Sequence, residues 1–491
     1  MEEDSEMTEG RAEIQELRQV DSRHATRTLL VLTGVALLVN YVETMVIPGI
    51  PTIQKDLATT ASIASWITTA YLIVGSSVSL LFGKLGDIYG KKKMFLFSLT
   101  FYITGVVIAG FSPSIYFLLF ARALQGIGFA IIPLALAILT DVYPREKIAT
   151  AQGIISGTFA IGAAAGLIVG SYVVQDLGWQ YAFHTAAVLS VLLFLVAAKI
   201  LRNDKPSGTR KSVDYAGAGL IMAGVTLLLL YVTEGPTLGW FSLREMALLI
   251  PGVLATLYFF VFENGKAEPL IQLGLLKIRN VLVANLVGIV SGTMMFMLFF
   301  AAVYYMELPT GFGLNLDIIA AGLSIGPSTL GMLIGGPTIG RMISRSGPKP
   351  ALLLGSAVLG IGQVLFIFNR ATSTALALDM LVALFGLVSV IVPIVNMVAV
   401  SLPRESIAVG LGMNTMLRNL GGALGPVVAT TIMSSFLSPF FVSVKGHEVV
   451  AGQLPSAFAF DLIFAIGIAL SICCVGLSLA IKNYTFKERP E

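Results

Sequence analysis

YPREKIATAQGIISGTFAIGAAAG (residues 143–166) and LPRESIAVGLGMNTMLRNLGGALG (residues 402–425) are two versions of one pattern. Pro144, Arg145, Glu146, Ala149, Gly153, Gly162 and Gly166 stand over Pro403, Arg404, Glu405, Ala408, Gly412, Gly421 and Gly425 at an offset of 259. A second pair, GKLGDIYGKKK (83–93) and GRMISRSGPKP (340–350), puts Gly83 over Gly340 and Gly90 over Gly347 at an offset of 257. Two distant blocks with nearly the same offset mark an internal duplication. In a membrane, two homologous helical bundles about a pseudo-two-fold axis along the normal are a frame on which transporters are built.

The composition demands the membrane. Of 491 residues, 56% are hydrophobic and 12% charged, against about 25% charged in soluble domains. Such a chain cannot build a polar surface, so it reads as polytopic. A net charge of +3 is too small to suggest nucleic acid. The two cysteines, Cys473 and Cys474, are adjacent in an apolar run and suggest neither a bridge nor a metal site. Residues 1–27 are polar and mostly acidic, unlike a signal peptide, and read as a flexible or partly helical cytoplasmic tail.

About 20 apolar residues span a bilayer as a helix. That ruler predicts fourteen spans, near 28–50, 61–83, 94–112, 114–140, 148–172, 181–201, 214–234, 245–263, 281–306, 317–340, 351–369, 373–398, 406–436 and 458–482. With the N-terminus inside, 25 of the 31 Lys and Arg fall in inside segments. Four (Lys55, Arg244, Arg370, Lys445) fall outside, and two (Arg122, Arg418) lie within spans. This bias puts both termini in the cytoplasm. The repeats then form six-helix bundles at 28–201 and 281–482. Residues 202–280 are a linker with two inserted helices that have no counterpart, and 483–491 are a second cytoplasmic tail.

In this order and spacing the motifs resemble the major facilitator superfamily, and more narrowly its fourteen-helix drug:proton antiporter branch. GKLGDIYGKKK resembles the signature between helices 2 and 3, and RALQGIGFA (122–130) that of helix 4. GTFAIGAAAGLIVG (157–170) resembles the helix-5 antiporter signature, with Gly162-Ala163 where the family usually carries Gly-Pro. DYAGAGLIMAGVTLLLLYVTEGPTLGW (214–240) and ENGKAEPLIQLGLLKIRN (263–280) resemble the inserted pair and the link into the second half. The family's helix-1 acid falls at Val42, and Glu43 stands beside it in NYVETMVIPGIP. One residue is a rotation of about 100°, which a bend at Pro48 or Pro51 would let the helix absorb. The resemblance implies a monomeric secondary transporter of the plasma membrane that exports lipophilic or cationic drugs in exchange for protons, by alternating access.

A charge in hydrocarbon costs at least ~2.5 kcal/mol, so it faces a cavity or a partner. Glu43 and Arg122 lie about seven and eight residues from the outer ends of their predicted helices, roughly 10–12 Å deep at the helical rise. They are expected to face one cavity, where Glu43 exchanges a proton; the bland reading of Arg122 is a bond to backbone carbonyls of the first helix. Arg418 and Asp379 suggest a second charged pair across the C-half. Asn40, Tyr71, Gln125 and Asn414, with Asn285, Tyr304, Tyr305 and Asn396, are polar side chains at bundle depth that line a cavity or join helices. Asp317, Asp461, Glu234 and Glu307 read as solvated, and His184 as structural. The glycines at 153, 157, 162 and 166 read as a packing ladder. Gly83, Asp87, Gly90, Lys91 and Arg145 suggest a cytoplasmic latch, with Asp87 just past a helix end, where a carboxylate needs partners. Ser344 replaces it in the second copy.

The chain carries no GxxxxGK[ST] motor signature and no metal or nucleophile constellation, so no cofactor and no enzymatic activity are expected. Its expected partners are a small-molecule substrate, protons and the bilayer. Two other readings stay open: a symporter or cation-coupled carrier of one solute or lipid, favoured by the missing Gly-Pro, and a non-transporting membrane sensor.

Overall fold

The computed structural model describes residues 2–143, 145–203, 214–266, 269, 272–402, 407–444 and 447–483, without the side chains of 2–22, 80, 83, 84, 87, 145–150, 152, 153, 156, 408, 442–444 and 447–449. The N-half contains α1 (Glu2–Met45), α2 (Ile50–Asp56), α3 (Ala61–Tyr89), α4 (Lys91–Gly110), α5 (Ile115–Gly126), α6 (Ile131–Val142), α7 (Arg145–Leu177) and α8 (Trp179–Ile200). The inserted pair is α9 (Tyr215–Leu238) and α10 (Leu243–Asn264). The C-half contains α11 (Arg279–Glu307), α12 (Ile318–Ile325), α13 (Leu330–Ser346), α14 (Pro348–Phe368), α15 (Ser373–Ser401), α16 (Ile407–Ser435), β1 (Leu437–Val444), β2 (His447–Pro455) and α17 (Ala457–Leu479). Short 3-10 turns at Ile47–Gly49, Ile127–Ala130 and Gly326–Thr329 join α1 to α2, α5 to α6 and α12 to α13.

Among the described residues thirteen helical segments are long and apolar enough to cross a membrane. The expected fourteenth, α16, is 29 residues long, or about 43 Å at the helical rise. It falls short on composition because it carries Asn414, Arg418, Asn419 and a run of glycines.

Two ends can be told apart, one bearing the lysine-rich connections, the start of α1 and the end of α17, the other the β-hairpin. Of seven helices that start at the hairpin end, six are N-capped, by Thr60, Ser114, Ser242, Asp317, Thr372 and Ser456, whose side chains accept a backbone N–H of the first turn. Each cap satisfies a donor that helix geometry leaves orphaned.

The duplication is repeated in space. A Cβ on Gly162 would meet the Leu37 carbonyl oxygen at 2.9 Å, and one on Gly166 the Tyr41 oxygen at 2.5 Å and the Met45 nitrogen at 2.9 Å. The C-half makes the same three approaches. A Cβ on Gly421 would collide with the Ile289 oxygen, and one on Gly425 would meet the Thr293 oxygen at 2.5 Å and the Met297 nitrogen at 2.7 Å. So α7 lies on α1 as α16 lies on α11, backbone against backbone. Small residues permit that approach where lipid offers no hydrophobic drive. Thr44 Oγ1 donates to the Ala163 oxygen at 3.2 Å, and Thr293 Oγ1 to the Gly421 oxygen at 2.9 Å, across the same seams. Gly157 is different: a Cβ there meets nothing within 4 Å.

The described hydrogen bonds between the halves all lie towards the hairpin end. Ser62 and Ser434 hydroxyls are 3.4 Å apart, and Thr69 Oγ1 donates to the Ala423 oxygen at 3.0 Å. Tyr304 OH donates to Gln54 Oε1 at 2.9 Å, and the Ile319 N–H to Gln175 Oε1 at 2.9 Å. Gln175 also approaches Asp317. The inserted α9 joins this seam. Trp66 Nε1 of the N-half donates to Thr233 Oγ1 at 3.0 Å, and Thr431 Oγ1 of the C-half to the neighbouring Val232 oxygen at 3.2 Å. α10 packs on α9 and leaves Leu254, Leu257, Tyr258 and Val261 exposed.

Two expectations are corrected, and the helix of the expected tail is located. The fold is helical in its spans but not wholly α: Leu437–Val444 and His447–Pro455 pair as an antiparallel hairpin with a bulge at Phe440/Phe441. Its Phe440 meets Phe312 at 5.8 Å. Helix α3 runs to Tyr89, so Asp87 lies in its last turn; nothing breaks the helix before Gly90, whose φ of 100° ends it. The first helix begins at Glu2, inside the expected tail.

Gly166→Val is expected to force α7 off α1 and lower the melting temperature of the purified protein, at an overpacking cost of about 1–3 kcal/mol. Gly421→Val should do the same in the C-half, whereas Gly157→Ala should leave the melt unchanged. An unchanged melt for Gly166→Val would show that these seams do not depend on backbone approach.

Candidate functional site

Arg122 is fully buried in the N-half, and glycines put it there. A Cβ on Gly105 would meet the Gln125 nitrogen at 2.6 Å, and one on Gly126 the Tyr71 oxygen at 2.6 Å. These approaches bring α3, α4 and α5 together around the guanidinium. Its Nε donates to the Ile67 oxygen at 2.8 Å, and its Nη1 to Gln125 Oε1 at 2.7 Å. The guanidinium carbon lies 4.6 Å from the Tyr71 ring centroid, within cation–π range. So Arg122 does bond a backbone carbonyl, but one of the second span rather than the first. Its Nη2 and the Tyr71 hydroxyl are buried without a hydrogen-bond partner.

Glu43, 6% exposed, completes the group. It acts electrostatically on Tyr71, Tyr102 and Arg122 from its own half, and on Arg418 from the other. The first span continues through its 3-10 turn to Asp56, so Glu43 lies about 13 residues from that end rather than seven. That is roughly 20 Å at the helical rise, near mid-membrane, and the break at Pro48 and Pro51 follows it in the chain. Beside it, Asn40 Nδ2 donates to the Ala36 oxygen at 2.8 Å and to Thr158 Oγ1 at 3.3 Å. Asn40 is thus partly a helix-joining residue.

In the C-half, Asn414 Nδ2 donates to the Ala284 oxygen at 3.0 Å and to Asn285 Oδ1 at 3.3 Å. These bonds hold α16 one turn before Arg418. Asp379 stands apart. It is buried near the hairpin end, where its Oδ1 accepts from Asn369 at 3.3 Å. The charge that acts on Arg418 is that of Glu43. The expected Arg418–Asp379 pair is not formed: Asp379 bonds Asn369, and Arg418 lies within the electrostatic reach of Glu43 in the other half.

The remaining polar residues serve the ends. Asp461 binds Arg370 at 2.6 Å, and Arg370 lies 5.2 Å from the Tyr305 ring centroid. Glu234 binds Arg244 at 3.2 Å, and Asp317 caps α12. Glu307 is half-buried and feels Lys55 across the halves. His184 packs on Phe111, ring centroids 4.6 Å apart, as a structural residue does. Of the latch, Gly90 forms the turn, and Lys91 Nζ reaches both oxygens of Asp141 at 2.7 Å. Gly83 and the side chains of Asp87 and Arg145 lie outside the described ones, as do Pro144, Pro403, Arg404 and Glu405. Among the described residues no cluster of three or more His, Cys, Asp or Glu could hold a metal ion.

Sequence reasoning missed Tyr102 and the Gly105–Gly126 packing. A tyrosine in mid-span, in FYITG (101–105), was the available signal. It also missed the electrostatic reach of Glu43 to Arg418, for which the sequence holds no signal, since nothing in it registers one half against the other.

The model of the Major Facilitator Superfamily matches residues 32–426. The Tetracenomycin C resistance and export protein of Streptomyces glaucescens is 28% identical over 424 residues, 84% of this chain and 77% of that one. The multidrug transporter protein MdtP of Bacillus subtilis is 24% identical, with the same coverages of 84% and 77%. Among solved structures, the nucleoside transporter NupG superposes with a TM-score of 0.65 at 13% identity, covering 93% of this chain and all of that one. The xylose transporter XylE of E. coli, in a partially occluded inward-open conformation, gives 0.59 at 13% identity, covering 92% and 97%. With its two glycine-seamed halves and its buried charges, the chain belongs to the Major Facilitator Superfamily: it is a multi-pass membrane transporter and not an enzyme.

Proposed function

We propose that this transporter exports lipophilic compounds in exchange for protons, with Glu43 as the proton-carrying group. The observation that supports this reading is Glu43 itself, a buried carboxyl under the influence of one arginine in each half. Ionised, it attracts Arg418 and draws the halves together. Protonated, it releases that attraction, so its proton state biases which end of the molecule is open. A group with different interaction energies in two conformations is what coupling requires. The relatives named for tetracenomycin C export and for multidrug transport support a drug-like substrate. Two guanidiniums against one carboxylate leave the site positive, which favours uncharged lipophilic compounds over cations.

The lysine bias supports a cytoplasmic lysine-rich end holding both termini, in a plasma membrane. The hairpin end is then external, and its hydrogen-bonded seam is the closed side of an inward-facing state. Alternating access requires that seam to part. The protein acts in this reading as a monomer of fourteen spans, and Asp87, Lys91 and Arg145 serve as a latch at the cytoplasmic end. The alternative, a carrier of one solute or lipid, draws on Gly162-Ala163, where the antiporter signature has Gly-Pro.

In inverted vesicles with an imposed pH gradient, some members of a panel of neutral and cationic lipophilic compounds should collapse the gradient. Glu43→Gln should reduce that response at least about tenfold, the size of effect of losing one essential proton carrier. Arg418→Gln should impair it, and Asp379→Asn should retain it. A full response from Glu43→Gln would exclude Glu43 as the carrier, and silence of the wild type across the panel would turn the reading to a narrow solute or lipid carrier.

The seam is tested separately. Ser62→Cys with Ser434→Cys places two thiols where hydroxyls are 3.4 Å apart, within disulfide reach. Oxidation should stop transport and reduction restore it. An oxidised pair that transports at the full rate would mean that the halves do not part there.

A further inference from the structure

The inserted helices α9 and α10 are joined at the hairpin end by a short turn that folds back on α9. Gly239, with φ of 83°, ends α9. The Trp240 ring then lies where a Cβ on Gly235 would stand, its centroid 5.4 Å from that of Tyr231. Ser242 caps the start of α10. The turn brings two carboxyls within electrostatic reach, Glu234 near the end of α9 and Glu245 in the first turn of α10.

Glu245 is fully covered, and neither oxygen of its carboxyl has a hydrogen-bond partner. A glutamate at this place ordinarily completes a capping box by reaching back to the N–H of the capping residue. Here that N–H is taken, since Ser242 donates it to the Gly239 oxygen at 3.0 Å. The neighbouring guanidinium is engaged as well: Arg244 binds Glu234 at 3.2 Å. At the other end of the same two helices Asp214 has both kinds of partner, the Gly217 N–H at 2.8 Å and Lys266.

Glu234 of α9 and Arg244 of α10 are the charged groups that act on Glu245. α3 and α16 also pack on α9 and bring Trp66 and Thr431 to it, neither of which titrates. Arg244 and the positive start of α10 can support one negative charge on the two carboxyls. A second, covered and unpaired, would repel the first. With no exposed surface, Glu245 has no space beside it for a hydrated ion, so a proton is the cation that fits.

We propose that Glu234 and Glu245 share one proton, and that this carboxyl–carboxylate bond is a clasp on the seam between the halves. The two residues before Glu234 are the ones that tie the halves: Thr233 accepts from Trp66, and Val232 from Thr431. With the proton present, α10 is bonded to the turn of α9 that carries both ties. When the proton leaves, to water at the exposed Arg244, the carboxylates repel, α10 draws away from that turn, and the ties loosen. The shared proton does not depend on Glu43. Its effect on the seam rests on the parting of the halves in the proposed function.

The proton is tested by infrared spectroscopy of the full-length protein in liposomes, titrated with pH. A Glu43→Gln background removes the contribution of the proposed carrier. Relative to that parent at neutral pH, Glu234→Gln and Glu245→Gln should each lack one carboxylic-acid C=O band, because either leaves a lone carboxyl that ionises beside Arg244. In the parent the same band should vanish as the pH is raised. A band that survives in Glu234→Gln would place the proton on Glu245 alone, and equal bands in all three proteins would mean an ionised pair; either result overturns the sharing. The clasp is tested with the Ser62→Cys/Ser434→Cys pair. At each pH its oxidation is compared with that of the same pair carrying Glu245→Gln, whose amide keeps a bond to Glu234 throughout. The two should cross-link alike while the band persists. Above the pH of its loss, the protein with Glu245 should cross-link about tenfold more slowly, the effect of losing one hydrogen bond to a charged group. Equal rates on both sides of that pH would overturn the clasp. An oxidised pair that still transports would instead remove the parting of the halves and leave the shared proton standing.

Discussion

A charge inside hydrocarbon must be met by another charge or by polar partners, and the interior of this protein is organised by that requirement. Arg122 is met by a carbonyl, an amide and an aromatic face within the N-half. Glu43 lies within the electrostatic reach of Arg122 and, across the halves, of Arg418. The first set of contacts is rigid, because it is held by helices packed through Gly105 and Gly126. The second is conditional, because its two members belong to bodies whose described hydrogen bonds to each other lie only towards the hairpin end. In the proposed function, a fixed charge beside a movable one would turn a local change in protonation into a rearrangement of whole halves.

The glycine seams keep each half stiff enough for this to matter. Three equivalent backbone approaches, made by Gly162 and Gly166 in one half and by Gly421 and Gly425 in the other, lock α1 to α7 and α11 to α16. If those pairs could slide freely, a shift at Glu43 would be absorbed locally. The inserted α9 acts on the same plane, with Thr233 tied to Trp66 and Val232 to Thr431. Two neighbouring residues of one helix thus hold opposite halves, so the insertion is part of the seam and not merely a wedge on the outside of the bundle.

Much of this was legible in the sequence, for reasons that also set its limits. The duplication could be read because backbone approach tolerates only small side chains, so the glycines had to stay in register. The spans could be read because lipid admits few charges. α16 strained that rule, since it carries the polar residues the interior uses. The hairpin at 437–455 is not legible because its Phe and Val make short runs between two far longer apolar ones. The end of α3 was placed too early because charge was read as a helix boundary, whereas the backbone stops only at Gly90. The depth of Glu43 was misjudged for a related reason. The predicted span stops at 50, whereas the chain turns at Pro48 and Pro51 and continues as helix to Asp56.

That Glu43 of one half acts on Arg418 of the other lay beyond the sequence altogether, and the duplication explains why. The seam contacts relate α1 to α11 by 252 residues, which sets Met295 opposite Glu43; the repeat offset of 259 sets Phe159 opposite Arg418. Neither charge has a charged counterpart in the other half. The frame was copied, and the chemistry was then placed once, with the carboxyl on one side of the pseudo-axis and a cation on the other. A symmetric arrangement would have put two carboxyls against two cations, and neutralising either carboxyl would have left half of the attraction in place. With a single carboxyl, one proton removes all of it. In the proposed function, the symmetry of the backbone would let the halves rock as equivalent bodies, and the asymmetry of the charges would let one proton decide when they do.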